Sequence, residues 1–170
     1  MQLADAFGLP LITLVDTPGF MVGPASEQTA MVRHAARLFV HAAALRVPVF
    51  SVVLRRGYGL GAMALTAGHF HAPVATAAWP GAEFGAMGLE GSVRLGFRKE
   101  LEAAAPGERE ALFQRLLGQA IERGQALNMA SHLEIDEVID PAETRDWLAR
   151  GLRSVAGAPL APRRPLLDTW

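Results

Sequence analysis

The chain has 170 residues, of which 51% are hydrophobic and 19% charged, a composition that fits one packed domain and excludes a disordered chain. Its net charge of −1 gives no general electrostatic reason to bind nucleic acid or an anionic membrane. Cysteine is absent, so disulfides, thiolate metal sites and cysteine nucleophiles are excluded.

The first residues, Met1 to Phe7, lack the basic start and apolar core of a signal peptide. Arg37, His41, Arg46 and Arg55 break up the alanine-rich middle, so no apolar run reaches the roughly 18 residues of a membrane span. The default expectation is a cytoplasmic protein. Residues 1 to 8 read as a helix end stopped at Gly8, and Leu9 to Val15 as a strand apolar on both faces, the kind found in parallel sheets covered on both sides. Asp16-Thr17-Pro18-Gly19-Phe20 ends that strand with turn chemistry. Ser26, Glu27 and Thr29 open a helix predicted from about 26 to 46, and Val47-Pro48 leads into a second buried strand, Val49 to Leu54.

Arg55-Arg56-Gly57-Tyr58-Gly59-Leu60-Gly61-Ala62 follows, a glycine-rich turn into a helix running to about Ala67. Glycines at 57, 59 and 61 permit positive φ, and the amides at the helix start are predicted to stay unpaired, an arrangement suited to negative charge. Spacing alone leaves a ligand site and a purely structural turn equally open. Val74 to Trp79 reads as a third strand, Ala82 to Gly88 as a strand or turn of small residues, and the pattern is helical from Gly91. Glu108 to about Arg123 is the clearest amphipathic helix. Ile135 to Pro141 is a short alternating edge segment, Ala142 to Val155 a last helix, and 156–170 an irregular proline-rich tail after a single domain over 1–155.

Several chemistries can be weighed at once. Leu14 to Gly19 resembles the segment a GTPase places near magnesium, but the only lysine, Lys99, has no phosphate-binding glycine frame around it, and that reading fails. His69 and His71 have no nearby acidic residue to complete a metal set, so surface or packing roles are favoured and no metal is expected. Ser92 lacks the glycine context of a nucleophile elbow and reads as a helix cap. Glu83 and Glu90 are an acid/base pair or solvated turn carboxylates, and Arg55 and Arg56 steer an anion or solvate a strand end.

Taken together, Pro10 to Phe20, Arg33 to Leu38, Arg55 to Gly59, Ala78-Trp79-Pro80-Gly81-Ala82-Glu83, Met87 to Gly91 and Asp136 to Pro141, in that order, resemble the carboxyltransferase β-chain of biotin-dependent acyl-CoA carboxylases of the propionyl-CoA and acetyl-CoA type. The similarity runs from about Leu3 to Leu148 and covers only the C-terminal half of that enzyme. The chain is thereby a fragment, a split subunit or a degenerate relative. The resemblance implies an α/β crotonase-like fold, with repeated ββα units and helices on a mainly parallel sheet. It also implies carboxyl transfer from carboxybiotin, held on a separate carrier domain, to the α-carbon of a short acyl-CoA.

The implied catalytic groups are the backbone amides of Leu60 and Gly61, an oxyanion hole for the ureido oxygen of biotin. Gly57, Tyr58, Gly59, Ala62, Met63, Gly19 and Phe20 are the implied substrate and biotin neighbours, Met63 standing where the family lines its acyl pocket. The family's usual Tyr-Gly-Gly-Ala reads Tyr58-Gly59-Leu60-Gly61 here, so Leu60 replaces a glycine and narrows the approach. The implied partners are acyl-CoA, the biotin carboxyl carrier and biotin carboxylase components, and an N-terminal carboxyltransferase half, in a homo- or hetero-oligomer. The alternatives are a crotonase-fold hydratase, isomerase or decarboxylase, which needs Glu83 or Glu90 at the substrate, and a non-catalytic assembly subunit.

Overall fold

The structure, a computed structural model, describes residues 1–162. In chain order it comprises α1 (Gln2–Phe7), β1 (Leu11–Thr17), α2 (Pro24–Gln28), α3 (Met31–Ala44), β2 (Val49–Tyr58), α4 (Gly59–Leu65), β3 (Ala75–Ala78) and β4 (Glu83–Gly85). Then follow α5 (Leu89–Gly96), α6 (Arg98–Ala103), α7 (Arg109–Gly124), α8 (Ala126–Ser131), β5 (Glu137–Val138), a 3₁₀ turn (Pro141–Glu143) and α9 (Thr144–Ser154).

The apolar run of β2 makes it the centre of the sheet, in the order β1-β2-β3-β5, with every strand pairing parallel. At ten residues β2 outlasts its neighbour β3: Phe50 to Val53 pair with Ala75 to Ala78, and Arg56 to Tyr58 pair instead with Glu83 to Gly85 of β4. This division of one strand between two partners brings Glu83 to the place where β2 ends and α4 begins.

Alternate side chains of a strand face opposite ways, and both faces of β2 are buried. Val53, with Val15 and Ala78, packs against Ala62 of α4, Phe84, Ala126 and Ile135. Phe50 and Val52 face the other way with Ala77 and Ile139, under Trp147 of α9, whose ring meets Phe50 edge-on at 6.3 Å. A third cluster, Val93, Leu101 and Phe113, joins α5, α6 and α7 into a helical layer.

Four expectations are corrected. The single helix over 26–46 is two, because Ala30 takes a left-handed conformation (φ 56) between α2 and α3. The β1 strand is not covered on both faces: Ile12 is 41% and Leu14 57% exposed, because α9 covers Phe50 and Val52 but does not extend over the outer strand. Strand β2 runs on through Gly57 and Tyr58, so α4 starts at Gly59, and of Gly57, Gly59 and Gly61 only Gly59 has positive φ. Ser92 lies inside α5, whose N-cap is Gly88 with no side chain capping it. Of the expected tail, 156–162 carries no helix or strand, and the rest, with Pro165, falls outside the described residues. Among the described residues no helix is long and apolar enough to cross a membrane.

Candidate functional site

The junction of β2 and α4 is tight because its glycines face other backbone segments. Gly59 has φ 57, and a Cβ there would stand 2.6 Å from the Ala86 carbonyl oxygen. A Cβ on Gly61 would stand 2.9 Å from the Gly19 Cα. The loops after β4 and β1 therefore close on the start of α4 from two sides. The glycines make room for the protein's own chain, in addition to any substrate.

The loop after β1 is ordered by short-range contacts. Thr17 Oγ1 accepts from the Gly19 amide at 3.2 Å, and Gly19 turns with φ 107. Just before it, Asp16 takes a 3.0 Å ion pair from the Arg55 guanidinium and a 3.3 Å hydrogen bond from the Arg56 amide. The Arg55 hydrogen bond, opposed by desolvation and aided by that arginine's charge, holds the Asp16 carboxyl below its usual range. Arg55 is thus engaged by Asp16 across β1 and β2.

Tyr58 is 5% exposed, and its hydroxyl donates to Glu83 Oε2 at 2.7 Å. Burial first, then the hydrogen bond and the charge of Glu83, push the phenol above its ordinary value. The first amides of any helix lack intrahelical partners, and no side chain caps α4. Leu60 is 60% exposed on this first turn, whereas Gly61 is buried. The helix start therefore offers backbone donors with no side chain competing for them.

Two clefts flank this turn. One, of about 460 Å³, is lined by Gly57, Gly59, Met63, Phe70, Phe84, Leu89, Phe97 and Met129, with Ser92, Arg123 and Glu134 as its polar members. The other, of about 360 Å³, is lined by Phe20, Met21, Val22, Met31, Phe39 and Leu60, with Glu27 as its charged member. The nine residues picked out in the sequence are therefore distributed. Gly57, Gly59 and Met63 border the first cleft and Phe20 and Leu60 the second, while Gly19 and Gly61 abut in the wall between. Tyr58 and Ala62 are buried behind it.

Sequence reasoning missed the part of α5 to α8 that closes the first cleft, including Phe97 and Arg123, because nothing in a helical pattern tells which sheet end the helix will meet. It weighed Glu83 as an acid/base group and did not pair it with Tyr58. Glu90 lies exposed in the first turn of α5. His69 and His71 stack at 5.1 Å on the surface, His71 facing Glu134 at 3.9 Å. Among the described residues no group of three histidine or acidic residues is placed to hold a metal.

Residues 1–163 match the family described as Carboxyl transferase domain. The propionyl-CoA carboxylase beta chain of Saccharopolyspora erythraea is 35% identical over 168 residues, covering 92% of this chain and 29% of that one. Among solved structures, the transcarboxylase 12S hexamer superposes with a TM-score of 0.82 at 34% identity, over 95% of this chain and 30% of that one. A single-chain, multi-domain long-chain acyl-CoA carboxylase superposes with a TM-score of 0.75 at 53% identity, over 87% of this chain and 15% of that one. The chain spans less than a third of these relatives' length. The fold is the crotonase-like α/β arrangement that the sequence implied. Matched along nearly its whole length and sharing that fold, the chain belongs to the carboxyl transferase family.

Proposed function

We propose that this chain belongs to the biotin-facing half of an acyl-CoA carboxyltransferase, with the amides of Leu60 and Gly61 as its oxyanion hole. The observation that carries the reading is the uncapped start of α4, held by backbone contacts to two loops. Biotin would bring the carboxyl group and, once it leaves, present a ureido oxygen bearing negative charge. Donors preset where charge develops lose no reorganisation energy, and each is worth about 3 to 4 kcal/mol in a water-poor site. The apolar side chains on either side, Phe20 and Met63, suit an apolar ring system. No side-chain base of this chain is required. Tyr58 is a hydrogen-bond donor to Glu83, which leaves that carboxylate engaged and speaks against a hydratase or isomerase using it.

The acyl group is assigned to the Met63 cleft, whose about 460 Å³ is ample for a short acyl group and extends past it. The 53%-identical relative, described as a long-chain acyl-CoA carboxylase, supports a reading in which longer chains also enter. The biotin carrier, biotin carboxylase and N-terminal half belong to this proposal as partners.

A backbone donor can be deleted with proline, which is tolerated in the first turn of a helix. In a carboxyl-exchange assay with the complementary half supplied, Leu60→Pro is expected to lower turnover by about 100-fold or more. Leu60→Gly keeps the amide and should retain activity. Equal activity of Leu60→Pro and the parent, with helix content intact by circular dichroism, would exclude the Leu60 amide as a donor.

A further inference from the structure

We propose that Tyr58 and Glu83 form a positioning pair that fixes the direction of the Leu60 and Gly61 amides, making Glu83 necessary to the site without touching substrate. The proposal rests on the reading of those amides as donors and adds what aims them. Tyr58 is the residue before the left-handed Gly59, with φ −101 and ψ 132, so a rotation there swings the whole first turn of α4. Three restraints oppose that rotation. Tyr58 pairs with Gly85 in the β2–β4 ladder, the Ala86 carbonyl closes on Gly59, and the phenol bonds Glu83 at 2.7 Å.

The third restraint is the only one made by side chains. Glu83 and Gly85 share a face of β4, two residues apart, and the Tyr58 ring lies beside Gly85, its Cδ1 3.6 Å from where a Cβ there would stand, on the way to Glu83. Glu83 is itself well anchored: its backbone bridges to Gln125, and the Ala126 amide donates to the Ala82 carbonyl at 3.1 Å. An ionised acceptor gives a shorter and stronger hydrogen bond than a neutral one. The charged groups acting on the phenol are Glu83 and Glu90, which hold its proton on, and Arg56, which opposes them.

The test is backbone ¹⁵N relaxation on the full chain, comparing the parent with Tyr58→Phe and Glu83→Gln. Phenylalanine keeps the ring and its burial and removes only the hydroxyl. The parent should show order parameters near 0.85 at Leu60 and Gly61, and Tyr58→Phe should drop both below about 0.6 while Val52 and Val53 in mid-β2 stay unchanged. Glu83→Gln, which keeps Tyr58 and still offers an acceptor oxygen, should retain most of the order. Unchanged values at Leu60 and Gly61, or a uniform fall across β2, would overturn the pair as a positioning device. Local loosening in a variant that binds biotin as well as the parent would uphold the pair and reject the amides as biotin donors, so the two proposals fail separately.

Discussion

Tyr58 is the only tyrosine among the 170 residues, which turns its environment into a measurable quantity. Its phenol is buried against Glu83 and resists ionisation, burial being the larger cause. An ordinary tyrosine is half ionised near pH 10. Tyrosinate absorbance at 295 nm should therefore stay flat through pH 10 to 10.5 in the folded chain and rise only at higher pH or on unfolding. The stability that follows from this shift is whole below about pH 10 and falls as pH rises beyond it, because the unfolded chain gives up its proton first. Glu83→Gln should move the titration downward without bringing it to the free value, since burial persists. A titration centred at 10 in the parent would show the ring to be solvated.

Among elements, the strands were the most legible from sequence. The mostly apolar run Val49 to Leu54, interrupted only by Ser51, fits a strand buried on both faces or a buried helix segment, and its short length between Pro48 and Gly57 decides for the strand. The exposure of Ile12 and Leu14 was not legible, because the same apolar pattern serves a central strand and an outer one, and what covers a face is decided by elements far away in sequence. The glycine-rich turn expected over 55–62 is divided between the end of β2 and the start of α4 at Gly59, since a strand and a helix can share the residues that join them. Of the site itself, the glycines were visible, but the reasons for two of them were not: they answer to Ala86 and Gly19, more than 20 residues away in each direction.

The break before α3 runs against local helix propensity. Ala30, an excellent helix former, sits at φ 56 and ψ 39, where a side chain costs about 1 to 2 kcal/mol. Ala30→Gly is therefore expected to stabilise the chain by about 1 kcal/mol in urea denaturation. An uninterrupted helix over 26–46 predicts the opposite sign, a loss of about 1 kcal/mol. The sign alone separates the two.

At the scale of the molecule, apolar side chains remain on the surface in several places, two of which gather more than one of them. Ile12 and Leu14 lie on the outer strand, and Met21, Val22, Val32 and Leu60 surround the smaller cleft. Exposed apolar groups gathered in this way mark surfaces that other chains cover. Light scattering at micromolar concentration should accordingly find a dimer or larger species, and a clean monomer would contradict that expectation.

On the proposed function, the chemistry calls for a partner as well. Carboxyl transfer develops charge on biotin and on the acyl thioester, and this chain is assigned donors for the first alone. If the partner half supplies two donors to the acyl side, their absence, at about 3 to 4 kcal/mol each, would slow the reaction by several orders of magnitude. The direct measurement is carboxyl exchange between malonyl-CoA or methylmalonyl-CoA and free biotin, run with the chain alone and with a separately expressed N-terminal carboxyltransferase half. The predicted result is weak biotin binding without turnover by the chain alone, and turnover once the two halves are mixed. Robust turnover by the chain alone, or no biotin binding in either mixture, would contradict the assignment.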